Sequence, residues 1–235
     1  MYRGLIHFHS CYSYDSILSI KNIVSFAIEN DLNFLILTDH DNINGSKVLK
    51  NYIEEKKLEI EVLIASEYNT EYGDIIALNI KEEIKDMQFE SFIKGVKRQN
   101  GVLLFPHPYK GHKNIKVIAS NVDMIEAFNA RIDDINNDKA LILAKEYNKP
   151  IYYATDAHNF KSLKNAIIEF KKQDNLINSL LNSKIFAKSQ DKSYLWEIYL
   201  SQYIKSFKQR NIKLFLFLFL RSIKNFVNLK LFRKI

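Results

Sequence analysis

One cysteine, six glycines and three prolines in 235 residues exclude several kinds of protein. Cys11 has no partner in the chain, so an internal disulfide is ruled out and a reducing compartment is expected. No glycine-rich phosphate loop can be written, and no linker-like stretch interrupts the chain before residue 160. The N-terminus, MYRGLIHFHS, lacks the long apolar core of a signal peptide, which predicts a cytoplasmic protein. The wholly apolar run Leu214 to Leu220 is far short of the about 20 residues that a spanning helix needs.

Acidic residues are missing from one region. After Glu197 come Lys205, Lys208, Arg210, Lys213, Arg221, Lys224, Lys230, Arg233 and Lys234, nine positive charges with no negative one. Without them 25 basic residues face 27 acidic ones, so the formal charge of +7 belongs to the tail. A basic nucleic-acid groove is not indicated by overall charge. At 47% hydrophobic, the chain can bury the core of one α/β domain and carry an appendage.

Histidine is concentrated. Five of the six lie in short runs with carboxylates beside or downstream of them: His7 and His9 in HFH, His40 in TDHD, His107 in FPHP and His158 in TDAH. In an extended segment residues i and i+2 face one side, so His7 and His9 are expected to point together, away from Ile6 and Phe8. The run Phe34 to Leu37 reads as a parallel strand buried on both faces, with Thr38, Asp39 and His40 at its C-terminal end. GVLLFPHP and PIYYATDAH place His107, Asp156 and His158 at strand ends in the same way, where α/β folds do their chemistry. Any one of these histidines, or Glu67 alone, reads equally as a satisfied core group or a solvated one. Packing does not explain five together.

Strands are expected over GLIHFH, NFLILT, EIEVLIASEYN, GVLLFPH, VDMIEAFN and PIYYATD, with a hairpin at TEYGDIIALNI. Helices are expected over SIKNIVSFAIEND, GSKVLKNYIEEKK, FESFIKGVKRQN and DDINNDKALILAKEYN, and this alternation predicts a parallel sheet or barrel.

Taken in order, HxH, TDHD, Glu67, HP, Glu126 and DAH resemble the PHP family, the polymerase and histidinol phosphatase family of metal-dependent phosphoesterases. The resemblance covers residues 1 to about 160, and HFHSCYSYDS is similar to the family's HxHSxYSxD signature. It implies an α/β fold, a distorted (β/α)7 barrel of the PHP type, with residues 161–235 as a C-terminal helical extension. Two or three divalent metal ions are implied at the C-terminal strand ends. His7, His9, Glu67 and Asp156 would hold one ion, and Glu67 would bridge to a second held by His107 and Glu126. Asp15, His40 and His158 would hold the third, Asp15 standing where some members have a histidine. Asp39 is expected to orient a ligand histidine. The implied catalytic set is Asp39, His40, Glu67, Asp156 and His158.

Mixed imidazole and carboxylate donors suit Zn, Mn or Fe, whereas an all-oxygen set would suit Mg or Ca. Such ions lower the pKa of water and neutralise charge on a phosphoryl group. The expected activity is therefore hydrolysis of a phosphate ester (a phosphomonoester, nucleotide or short oligonucleotide) by metal-activated hydroxide. Neither Cys11 nor any serine has triad-like surroundings that would make it a nucleophile. The competing class is a metal-binding PHP module with a structural or interaction role and no catalysis. The complete ligand set favours the enzyme.

Lys110, His112, Lys113 and Arg131 are candidates to grip a substrate phosphate, with exposed structural charge as the competing reading for each. Only 18 residues separate His107 from Glu126, too few for a large lid. An open site results, suited to a phosphorylated small molecule, a nucleotide or a nucleic-acid end. In the tail, Ile212, Phe215, Leu216, Phe219, Leu220, Ile223, Phe226 and Val227 share one helical face, opposite Lys213, Arg221, Lys224 and Asn228. That stripe either docks on the domain or a second subunit, or gives residues 205–235 a peripheral membrane contact.

Overall fold

In the computed structural model, which describes residues 1–227 and 233–235, alternate residues of the first strands enter different cores. From β1 (Tyr2–Ile6) and β2 (Phe34–Ile36), Leu5 and Leu35 pack outward with residues of α1 (Ile20–Glu29) and α2 (Asn44–Glu55). Ile6, Phe34 and Ile36 face the opposite way, into a central core shared with a second sheet. This two-sided burial is why the sequence shows continuous apolar runs there instead of alternation. Ser19 starts α1 by accepting the Asn22 N–H, satisfying a donor the helix itself leaves free.

The first sheet continues through β3 (Glu61–Val62), β9 (Ile168–Phe170) and β10 (Phe186–Ala187), in the order β10-β9-β1-β2-β3. The second contains β4 (Ala65–Thr70), β5 (Gly73–Leu78), β6 (Val102–Phe105), β7 (Met124–Asn129) and β8 (Ile151–Ala154), in that order. Helices α3 (Phe89–Arg98), α4 (Ile115–Asn121) and α5 (Asp134–Glu146) cover its outer face, burying Phe92, Val96, Ile118 and Leu143 against Leu103, Phe105 and Ile125. Pairs β1–β2, β2–β3, β6–β7 and β7–β8 are parallel, whereas β4–β5, β5–β6, β1–β9 and β9–β10 are antiparallel.

Among the described residues no sheet is closed, and the pairing forms two mixed sheets. Two expectations are corrected. The single strand read over EIEVLIASEYN is two, β3 and β4, in different sheets, because Leu63 and Ile64 carry the chain from one to the other. Residues after 160 are not helical throughout: Ile168–Phe170 pairs with Tyr2–Gly4 at the heart of the first sheet.

Isolated parallel bridges join the sheets at two places, Phe8 with Ala157 and His40 with Glu67. Phe8, His40 and Ala157 lie just past strand C-termini, and Glu67 lies within β4. After α6 (Leu176–Asn182), a hairpin of α7 (Leu195–Lys208) and α8 (Ile212–Val227) turns at Arg210, whose φ is 51°, and at Asn211, which accepts the Leu214 N–H. Lys230, Asn228 and the side chains of Phe226 and Val227 lie outside the described residues.

Candidate metal centre

The strand ends are stitched by backbone hydrogen bonds that bring the histidine runs together. His9 N–H donates to the Ala157 carbonyl at 2.8 Å, and Asp156 N–H to the His7 carbonyl at 2.8 Å. Across the other junction, Glu67 N–H donates to Asp39 at 3.2 Å and Asp41 N–H to Glu67 at 2.9 Å. The expected alternation of His7 and His9 along one extended strand does not hold. β1 ends at Ile6, and His7 has φ 59°, in the left-handed region. His107 (φ 29°) and Asp156 (φ 48°) share that conformation, which costs a residue with a Cβ on the order of 1–3 kcal/mol. The surrounding sheets hold it.

The side chains converge into three overlapping groups: His9, Asp15, His40 and His158; His7, His9 and Asp156; and His7, Glu67 and His107. Within each group one donor atom per residue lies within 4.8 Å of the others. Glu67 sits at the middle. Its Oε2 is 3.3 Å from both His7 Nε2 and His9 Nε2 and 3.4 Å from His40 Nδ1, while Oε1 is 3.0 Å from His107 Nε2. Asp15 Oδ2 is 3.3 Å from His40 Nε2 and 3.0 Å from His158 Nε2.

Divalent ions fit these residues. His7 Nε2 and both ring nitrogens of His9 are buried without a hydrogen-bond partner. A buried polar atom left unpaired costs about 1–3 kcal/mol, and an ion held by imidazole and carboxylate would satisfy it. Electrostatics agree. Burial pushes the His9 pKa down to about 3, helped by the neighbouring His158 and His40 charges. For His40 burial works the other way from Glu67 and Asp15, and the carboxylates prevail, raising it to about 9. Glu67 and Asp156 are both held well below the usual carboxylate range: burial opposes this, but His7 and His40 act on Glu67, and Arg131 and His7 on Asp156.

Two carboxylates have partners that the sequence did not reveal. Glu126 belongs to none of the three groups. Its Oε1 lies 2.7 Å from His7 Nδ1, and its Oε2 accepts from the His107 N–H and from Asn129 Nδ2. It orients a histidine from behind. Asp39, expected in that position, instead accepts the Ser10 N–H and the Ser10 hydroxyl at 2.6 Å each. It fastens the segment after His9; burial raises its pKa to about 6 against the pull of those bonds.

A cavity of about 230 Å3 opens over the donors, lined by Asp15, His40, Glu67, His107, Asp156 and His158. Larger hollows near Lys81–Asn100 and at the α7–α8 turn contain none of them. Lys110 and Arg131, two of the phosphate-gripping candidates, line the cavity. Lys110 is exposed over the residue as a whole, yet partial desolvation and the Arg131 charge lower its pKa. Arg131 is buried, with Nη1 2.6 Å from His158 Nδ1 and 3.4 Å from Asp156 Oδ1, and Nη2 donating to Ser201 Oγ at 2.7 Å. His112 does not line the cavity: its Nε2 lies 2.9 Å from the Asp74 carbonyl oxygen and its ring packs behind His107 at 5.4 Å. Lys113 is exposed and away from the lining residues.

A family model, the PHP domain, matches residues 6–214. The chain belongs to the PHP family. An uncharacterized protein of Methanocaldococcus jannaschii, MJ1587, is 33% identical over 145 residues, spanning 60% of this chain and 84% of that one. Among solved structures, the chain is similar to a two-domain protein of Bacteroides vulgatus that contains a predicted PHP-like metal-dependent phosphoesterase. That likeness has a TM-score of 0.66 at 18% identity, over 80% of this chain and 65% of the other. The chain thus spans just under two thirds of that protein's length. PsfC from Pseudomonas syringae is similar with a TM-score of 0.62 at 15% identity, over 89% of this chain and 99% of that one.

The PHP match runs well past residue 160, and α7 explains why. Gln202 and Lys205 line the cavity, and Lys208 Nζ donates to the carbonyls of Cys11, Ser13 and Ser16 at 2.7–2.9 Å, clasping the loop that carries Asp15. The basic tail is therefore not separate from the histidines, as its charge suggested. Tyr14 is another residue that motif reading passed over. Its ring stacks on His40 at 4.6 Å, and Lys205 Nζ lies 4.7 Å from the centre of the Tyr14 ring. The signal was present as an aromatic inside the signature, between Ser13 and Asp15.

Proposed function

We propose that this PHP chain hydrolyses phosphate esters at a di- or trinuclear centre of Zn, Mn or Fe. The observation that carries the reading is the convergence of three donor groups, with Glu67 central, on one cavity. His7, His9, Glu67 and Asp156 would hold one ion, His107 with Glu67 a second, and Asp15, His40 and His158 a third. When bound, such ions lower the pKa of water towards neutrality and stabilise the charge that develops on a phosphoryl group. The chain's own contribution is to bind and orient. Lys110, Arg131 and Lys205 surround the mouth with positive charge for phosphate oxygens, and Glu126 keeps His7 in one orientation. Cys11 is exposed and lines no part of the cavity, in keeping with a reaction that uses no side-chain nucleophile.

A volume of about 230 Å3 favours a compact phosphomonoester or nucleotide over an oligonucleotide. We also read strands β1, β2 and β4 to β8 as the distorted barrel of the family, on the support of the two bridges between the sheets. Residues 1–160 form its body in this reading, and the remainder an extension that completes it. Turnover of p-nitrophenyl phosphate and bis-p-nitrophenyl phosphate with added Mn(II) or Zn(II) tests the enzyme reading. Activity is expected to vanish in Asp156→Ala. A protein that binds metal yet turns over neither ester faster than that variant would be the non-catalytic PHP module instead.

A further inference from the structure

The tail stripe does not do what packing would ask of it. Ile212, Leu216, Phe219, Leu220 and Ile223 are each at least 49% exposed. At 3.6 residues per turn these five fall within an arc of about 100° on α8. The helix docks by another side. Leu218 is buried, Ser222 accepts the Tyr203 hydroxyl at 3.0 Å, and Asn225 Nδ2 donates to the Tyr199 hydroxyl at 2.6 Å. The contacts with α7 thus leave the stripe facing outward. Phe207, 76% exposed, extends it at the hairpin tip beside Ile212 and Arg210.

Charge selects what this face can meet. Lys213 and Arg221 follow along one border of the stripe, and the sequence holds no acidic residue after Glu197. A second copy of the chain would bring cations against cations with no acid on either helix to pair them. An anionic lipid surface supplies the missing sign and an apolar layer together. Among the described residues no helix is long and apolar enough to cross a membrane, so a contact of this kind lies in the interface. The PHP match ends at residue 214, so nearly all of the stripe lies beyond it. We propose that α8 is a membrane-surface helix, resting its apolar stripe in an anionic bilayer with its basic border at the headgroups.

Flotation of the full chain with vesicles tests this. The chain should float with mixed phosphatidylcholine and phosphatidylglycerol vesicles, and about tenfold less with phosphatidylcholine alone. Leu216→Glu with Leu220→Glu, and separately Lys213→Glu with Arg221→Glu, should each reduce flotation at least about tenfold. All four residues are exposed, so melting temperature, metal content and hydrolysis of a soluble phosphate ester should stay unchanged. Flotation equal between the intact chain and both variants, or equal on the two kinds of vesicle, would overturn the proposal. So would a concentration-dependent dimer that Leu216→Glu dissolves, with no vesicle binding, since the stripe would then be a subunit interface.

Discussion

His7 Nδ1 and Glu126 Oε1 lie 2.7 Å apart in a pair wholly shielded from solvent, and this contact decides which ring nitrogen of His7 faces Glu67. The proton belongs on Nδ1, leaving Nε2 as the free donor. Glu126→Gln keeps the shape and reverses the polarity of that support. Metal affinity should fall about 10–100-fold while the number of ions bound at saturation is unchanged. Titration calorimetry with elemental analysis checks both; loss of one whole ion would mean that Glu126 is a ligand after all.

Gly45 touches the other carboxylate. A Cβ there would lie 1.8 Å from Asp39 Oδ2 and 2.9 Å from Ser10 Oγ. Gly45→Ala should therefore cost about 1–3 kcal/mol, read as a lower urea midpoint at constant slope. Ser10→Ala removes the hydroxyl bond without crowding, and should cost about 1 kcal/mol. A Gly45→Ala protein as stable as the original would show that Asp39 can yield.

Lys205 and Lys208 sit three residues apart on α7 with different work. Lys208→Ala strips three carbonyl oxygens of their donor and should lower stability by about 1 kcal/mol. Lys205→Ala should leave stability within about 0.5 kcal/mol and raise KM several-fold at nearly constant kcat. Steady-state kinetics beside thermal melts separates them, and a KM unchanged in Lys205→Ala would remove it from substrate binding.

Metal removal should be visible without any substrate. At an ion concentration 100-fold above Kd, binding adds about 2.7 kcal/mol, or about 5–10 °C in Tm for a chain of this size. Chelation should reverse it. The gain should shrink as pH falls, because protons compete with the ion for imidazole nitrogen. Scanning calorimetry at two pH values gives the answer, and a melting temperature indifferent to chelator would count against a centre that binds ions tightly.

The sequence made five histidine positions legible because each ends an apolar run, and apolar runs reveal buried strands. It did not show that His7 turns through a left-handed backbone, and that turn decides which carboxylate lies behind which ring. Hence the contacts of Glu126 with the back of His7, and of Asp39 with Ser10, could not be read from spacing. The split of EVLIASE between two sheets was hidden because its apolar content runs unbroken across Leu63 and Ile64. Gln202 and Lys205 were invisible for another reason. They reach the cavity from a helix more than 40 residues downstream of His158, and no spacing rule spans that distance.

β1 lies between β2 and β9, and its extension bridges to Ala157. Residues 2–9 therefore complete their pairing only with partners near residues 157 and 168–170. On a ribosome that N-terminal segment would wait for some 160 further residues, its hydrogen-bonding groups and two histidines unclaimed. Such long-range closure slows folding and leaves an unpaired strand open to other chains. His7 and His9 are thus made ahead of Asp156 and Ala157, and the centre they share cannot assemble until that later segment arrives.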